Sequence, residues 1–262
     1  MNNAYREDLL SVIIPSFNYG RFIAQSIESV FAQDYGPIEL VIVDDGSRDD
    51  SLAVIERSLN GHLNGHLNGH MNGHGRVTRT EVVPLPGNIG KLGAINRAMS
   101  RINGVFSIIL DADDYLTPHY ASRCIAELRQ VNATDPAIGF VYTDCNLVSE
   151  TGEILDRGRS TAFDPLLLKQ YSFIPEPAVV LTKALVEAGP FDESIKRGTK
   201  HHKWQRIVNN GWQGRHLAEP MFFYRMHHNN LSGIGRRVIG EIENGEQGER
   251  ILSGYWPTMA HS

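Results

Sequence analysis

Cysteine is scarce, with only Cys124 and Cys145 in a chain of 262 residues. No metal-ligand spacing relates them, so a structural zinc knuckle and a disulfide framework are both excluded, and a reducing compartment is expected. Long apolar runs are missing too. None approaches the roughly 18 residues that a membrane-spanning helix needs, and the first residues contain no leader-like apolar segment. A cytoplasmic protein is the expectation. Basic clusters are also few: the formal net charge is −5, and Arg236-Arg237 is an isolated pair. Nucleic acid is therefore excluded as the main partner, because phosphate neutralisation needs clustered cations.

What is present is an ordinary globular composition, 41% hydrophobic and 21% charged. The length suits one large α/β domain or two small ones, with ample material for a core. Short Val- and Ile-rich runs occur at 10–14, 40–43, 80–83 and 106–110, as strands buried on both faces require. Between them, 22–31, 51–59, 92–99 and 120–131 carry apolar residues at helical spacing. This alternation predicts a doubly wound, mostly parallel sheet flanked by helices, as in Rossmann-like nucleotide-binding folds, with right-handed crossovers. Residues 8–232 form the expected domain, divided into halves at 8–117 and 118–232. Further strands are expected at 140–142 and 178–181, and a helix at 200–209. Residues 233–262 are read as a tail or peripheral helix.

One low-complexity stretch interrupts this plan. Over 60–75 the chain repeats Asn-Gly-His, placing His62, His66, His70 and His74 four residues apart. On a helix these imidazoles would stack on one face, but Asn-Gly favours turns and each Gly costs a helix about 1 kcal/mol. A solvated loop is expected.

In doubly wound sheets ligands bind beyond the carboxyl ends of the strands. The polar residues gather there: Pro15-Ser16-Phe17-Asn18 after the first run, Asp44-Asp45-Gly46-Ser47 after the second, Asn88-Ile89-Gly90-Lys91 after the third, and Asp111-Ala112-Asp113-Asp114 after the fourth. Crowded carboxylates repel one another and need a cation or hydrogen-bond donors. Oxygen-rich sets suit Mg²⁺ or Mn²⁺, which bind through one or two carboxylates plus substrate phosphates. A P-loop is excluded, because Leu85 and Leu92 stand where it needs Gly and Ser or Thr. No Gly-x-Gly-x-x-Gly follows the first strand, which removes the main support for a dinucleotide dehydrogenase.

As a set, these motifs resemble the family-2 inverting glycosyltransferases of the GT-A fold. The resemblance rests on 12–18, on 41–47, on Asn88 with Asn96 and on 110–114. It continues through 189–193 to Tyr224-Arg225-Met226-His227, and so covers about residues 8–233. It implies a nucleotide-sugar donor, UDP-sugar favoured, lying against Pro15, Ser16, Asn18, Asp44, Asp45, Asn88, Lys91, Asp111, Ala112 and Asp113. Asp45 would hold the base, with Asp44 close by, and Asp111 would face the ribose. Asp113, Asp114 and His227 would serve the metal. Acceptors would be a growing saccharide, a lipid-linked glycan or a small molecule, with peripheral membrane association in the lipid case.

The chain departs from that family at one point. Where the resemblance implies a Glu-Asp pair whose Asp is the base, with Trp204 and Arg206 keeping the register, stand Thr199-Lys200. Lysine could substitute only with a strongly depressed pKa. Three readings stay open: His201 or His202 acts as base, Asp192, Glu193 or Glu176 reaches the acceptor, or the domain binds a donor without transferring it. A nucleotidyltransferase would need a Gly-rich basic loop after the first strand, which 15–18 does not supply.

Overall fold

The computed structural model describes residues 5–65, 76–230, 234–246, 248 and 250–251. Four strands form the parallel half of a ten-stranded sheet: β1 (Arg6–Ser16), β2 (Ile38–Asp44), β3 (Val77–Pro84) and β4 (Gly104–Ile109), ordered β3-β2-β1-β4. Their side chains alternate between two cores. Leu10, Val12, Ile14, Leu40, Ile42 and Ile108 face one side, and Ile13, Val41, Val43 and Ile109 the other. Burial on both faces explains why β1, β2 and β4 carry nearly unbroken apolar runs, whereas β3, at the sheet edge, buries only Val83 and keeps Arg79 and Glu81 among its apolar residues.

Helices close both sides. On the first lie α1 (Ile23–Phe31), α2 (Ser51–Gly65) and α4 (Tyr120–Thr134), contributing Ile27, Ile55 and Ile125 among others. On the second lie α3 (Lys91–Met99), α6 (Thr182–Glu187) and α7 (Thr199–Asn209), through Ile95, Leu185, Trp204 and Ile207. The short α5 (Pro165–Leu168) is capped by Asp164, whose carboxylate accepts from the Leu166 and Leu167 amides.

Parallel pairing is not confined to that half, but antiparallel strands enter the sheet beyond it. The sheet continues from β4 into β8 (Ala178–Leu181), antiparallel to both β4 and β6 (Ile138–Val148), and then into β7 (Ile154–Arg159), antiparallel to β6. The 13-residue β9 (Gln213–Arg225) runs parallel to β6 and also pairs with the two-residue β5 (Tyr115–Leu116). At the far edge β10 (Arg250–Ile251) pairs with β7. The architecture is thus a mixed sheet flanked by helices.

Two boundaries differ from the sequence expectation. α2 runs through Asn60 to Gly65, so the insert begins as helix rather than loop. The His62 ring stacks on Phe31 with centroids 4.1 Å apart, a contact that helps offset the helical cost of Gly61. His66, His70 and His74 lie outside the described residues. After residue 232, Ile234–Glu243 form α8, which buries Ile234 and Val238 in the first core. Cys124 and Cys145 are buried free thiols.

Candidate functional site

The parallel register carries Ser16 and Asp44 to neighbouring positions at one sheet edge. Asp44 Oδ2 accepts from the Ser47 amide, while Asp44 Oδ1 and Ser16 Oγ are buried without a protein partner. Buried unsatisfied oxygens are uncommon in folded proteins. Asn18, in the left-handed region at φ 59°, ties the two loops together: its amide donates to Ser47 Oγ and its Oδ1 accepts from Arg48 N. Gly46 has φ 72°, and a Cβ there would lie 2.6 Å from Gly87 Cα. Only glycine fits that approach.

Asp45 is a brace. Its two carboxylate oxygens accept from the amides of Ile89 and Gly90 at 2.7 and 2.8 Å, fixing the loop that opens α3. Pro15 is buried within β1, whereas Asn88 is exposed on that loop. Lys91, the first residue of α3, reaches Asp111 Oδ1 at 2.5 Å and Glu176 Oε2 at 3.3 Å.

Beyond β4, Asp111, Asp113 and Asp114 converge with one oxygen from each lying within 4.8 Å of the others. Ala112 is buried and its carbonyl accepts from Ser26 Oγ. Burial pushes the Asp111 carboxyl up against the opposing pull of Lys91. Burial, reinforced by the charges of Asp113 and Asp111, drives Asp114 well above the usual carboxylate range. Such upward shifts register carboxylates short of positive charge, and an all-oxygen set with one adjacent imidazole suits a hard divalent cation. That imidazole is His227, whose Nε2 lies 2.9 Å from Asp113 Oδ2.

Two neighbours of the triad were given no role by the sequence, although Arg225 stands within the 224–227 stretch that carries the resemblance. The Tyr19 hydroxyl hydrogen-bonds Asp113, and burial together with the charges of Asp113, Asp111 and Asp114 raises its pKa. Arg225, only 2% exposed, donates to the carbonyls of Asp113, Ser149 and Glu150, and its own amide donates to Asp114 Oδ1. It is sandwiched near the rings of Phe22 and Tyr115.

The head of α7 brings lysine towards this edge. Lys203 Nζ donates to Glu176 Oε1 at 2.6 Å, and both side chains are closed from solvent. Burial alone would raise Glu176, but the Lys203 and Lys91 ammoniums outweigh it and hold the carboxyl at about 2. Burial pushes Lys200 down to about 8, while Glu176 and Asp111 pull the other way. His201 has both ring nitrogens buried without a hydrogen-bond partner, and burial followed by the Lys200 charge lowers it to about 4. Burial and Arg206 also lower His202, against the pull of Asp192. The electrostatic neighbours of the two rings are Lys200, His202, Arg206 and Asp192, none of them in the aspartate triad. Asn96, also part of the resemblance, anchors the 191–193 turn by exchanging hydrogen bonds with the Phe191 backbone. A separate cavity of about 550 Å³ opens at the amino ends of the strands, beside Arg6, Glu39 and Arg79. It is remote from all of these groups.

Residues 11–186 match the family described as Glycosyl transferase family 2. The chain belongs to this family. Among its relatives, chondroitin synthase of Escherichia coli is 29% identical over 87% of the chain, and hyaluronan synthase of Pasteurella multocida 29% over 58%. The matched part of the family 2 chain spans only 30% and 14% of those two proteins. Among solved structures, Staphylococcus aureus TarS in complex with UDP-GlcNAc superposes with a TM-score of 0.63 at 18% identity, covering 91% of this chain and 68% of that one. The mannosyltransferase PcManGT of Pyrobaculum calidifontis, in complex with GDP-Man and Mn²⁺, gives 0.61 at 19% identity, covering 95% and 67%. These likenesses show that the family 2 domain has the GT-A fold. Lys200, Arg225 and His227 lie beyond the matched segment.

Proposed function

We propose that the chain transfers a sugar from a nucleoside-diphosphate sugar, UDP-sugar favoured, to an acceptor hydroxyl with inversion, using Mn²⁺ or Mg²⁺, in polysaccharide or glycoconjugate synthesis. The observation that carries this reading is the convergence of Asp111, Asp113 and Asp114 at the strand ends, with His227 against Asp113. Asp113, Asp114 and His227 would hold the cation. A cation there supplies charge neutralisation for a departing diphosphate. The complexes named for TarS and PcManGT, with UDP-GlcNAc and with GDP-Man and Mn²⁺, support the donor class.

The chain's own residues have assignable work. Ser16 and Asp44 offer unsatisfied oxygens to the nucleoside, and Asp45 and Asn88 shape the loop over it. Lys91 lends a cation beside Asp111. Tyr19 and Arg225 hold the triad's geometry from either side. Inversion requires a proton acceptor on the acceptor side. His201 and His202, both held neutral by burial, are assigned to that task. The acceptor is a saccharide, a lipid-linked glycan or a small molecule. A lipid-linked acceptor fits peripheral membrane association from the cytoplasmic side. Among the described residues no helix is long and apolar enough to cross a membrane.

Donor hydrolysis and transfer measured with Mn²⁺ or chelator test the reading. Metal-dependent turnover supports it, and separate His201→Ala and His202→Ala variants identify the base by a loss on the order of 10²-fold or more. A second reading, a nucleotide-sugar-binding module without turnover, is favoured by Lys200 standing where the resemblance places the base. Metal-dependent donor binding with no transfer would establish it instead.

A further inference from the structure

Glu176 stands between two prolines just ahead of β8, and only 3% of its side chain is exposed. The segment is tied on both sides: the Pro175 carbonyl accepts from Trp204 Nε1, and the Pro177 carbonyl accepts from the Tyr120 hydroxyl. A carboxylate so enclosed is costly unless cations or donors answer it. Lys203, on α7, answers one oxygen, with Nζ donating to Oε1 at 2.6 Å. The other oxygen, Oε2, is buried without a hydrogen-bond partner. Its ion-pair partner is Lys91, whose Nζ lies 3.3 Å away.

Lys91 is shared unequally, because the same Nζ approaches Asp111 Oδ1 to 2.5 Å. Lys203, Glu176, Lys91 and Asp111 therefore alternate in charge, and this lysine cluster runs from α7 to the aspartate triad. Exposure rises along it, from 2% at Lys203 to 15% at Lys91 and 28% at Asp111. The enclosed end is anchored. The open end is the carboxylate that the resemblance places against the ribose. Stability alone does not account for such an arrangement, since apolar side chains of similar volume often replace a buried ion pair without loss.

We propose that Glu176, anchored by Lys203, is a positioning residue of the donor site: it draws the Lys91 ammonium aside and so sets how Asp111 meets the donor's ribose. This deepens the reading given under Proposed function and rests on it. The pull of Oε2 acts on Lys91, so the ammonium pairs with one Asp111 oxygen and leaves the other for the donor. Glu176 works here as a fixed anion and not as a base. Because α7 also carries the position where the resemblance puts the base, the same cluster keeps that helix in register with the donor-side aspartate.

The test is calorimetric titration of the full chain with UDP and with GDP, each in the presence of Mn²⁺. Glu176→Gln should bind whichever nucleotide the wild type binds about tenfold more weakly, the size of one charge-assisted hydrogen bond. In a Lys91→Met background the same substitution should change nothing, because Glu176 acts through that ammonium. In Lys91→Arg part of its effect should return. Glu176→Gln leaves Lys203 buried without its carboxylate, so the neutral pair Glu176→Gln with Lys203→Met is titrated beside it and should bind as weakly. Native affinity in Glu176→Gln or in the neutral pair overturns the proposal. An equal loss with and without Lys91 also overturns it, since a merely structural glutamate would act in both backgrounds. If the wild type binds neither nucleotide, the donor reading itself fails and takes this one with it.

Discussion

His227 Nε2 and Asp113 Oδ2 meet at 2.9 Å although 114 residues separate them in the chain. The imidazole Nδ1 accepts from the Asn229 amide, so in the neutral ring Nε2 carries the proton and donates it to Asp113. The contact between the end of β4 and the segment after β9 is thus polarised before any ligand arrives. The end of β4 and the segment after β9 both contribute to this acidic cluster.

Asp113→Asn should abolish metal-dependent stabilisation by the donor. In the wild type, a donor at a hundred times its dissociation constant adds about 2.7 kcal/mol. That corresponds to a rise in Tm of roughly 5–10 °C for a chain of this size. Thermal melts with Mn²⁺ and donor should show the rise in the wild type, and neither the variant nor chelator-treated wild type should show it.

Arg225→Met should weaken the fold as well as the site. It strips donors from three carbonyls near the acidic turn, and a loss of about 3 kcal/mol or more is expected. Denaturant titration measures it. A variant as stable as the wild type would show that water replaces the guanidinium without cost.

Lys203→Met takes from the buried Glu176 carboxylate its hydrogen-bonded ammonium, at a cost of about 3 kcal/mol. Glu176→Gln in the same chain should recover part of that loss. The pH dependence has a definite sign. Because the folded carboxyl sits at about 2, below its unfolded value near 4.5, its contribution is complete above that unfolded value and is lost as pH falls towards 2. Unfolding free energies across this window should show a component that Glu176→Gln removes.

How much of this was legible in the sequence differs between the two halves. β1, β2 and β4 and the helices around them were readable because these strands are buried on both faces and each helix shows one apolar stripe; β3 was readable only from Val82 and Val83 at its end. The Ser16, Asp44 and Asp111 edge followed directly. β9 was not readable: Ala218, Glu219 and Pro220 interrupt it, and its pairing with β6 shifts register around Pro220. The lysine cluster was hidden for a different reason. Lys91, Glu176 and Lys203 are far apart in sequence, and no local pattern tells a buried lysine from a solvated one. Thr199-Lys200 was visible as a departure, but its meaning depended on seeing which side chains of α7 face Glu176.

His201 gives a separate pH signature. Its folded pKa of about 4 lies below the ordinary value of 6.5, so the unfolded chain binds the proton more readily. Stability should therefore fall as pH drops from about 6.5 towards 4, and His201→Phe should flatten that slope. If the slope survives the substitution, another group is responsible.

α8 rests on the loop that carries His227. A Cβ at Gly235 would fall 2.6 Å from the His227 backbone nitrogen, so the helix packs there only because residue 235 has no side chain. The stretch matched by the family, 11–186, therefore does not mark the smallest unit that could be moved between proteins with its donor site intact. A fragment ending at 186 would keep the parallel strands and the three aspartates. It would lose the arginine that orders their turn, the imidazole that meets Asp113 and the helix seated against the His227 backbone. Grafts and chimaeras of this domain need to carry the chain through Glu243.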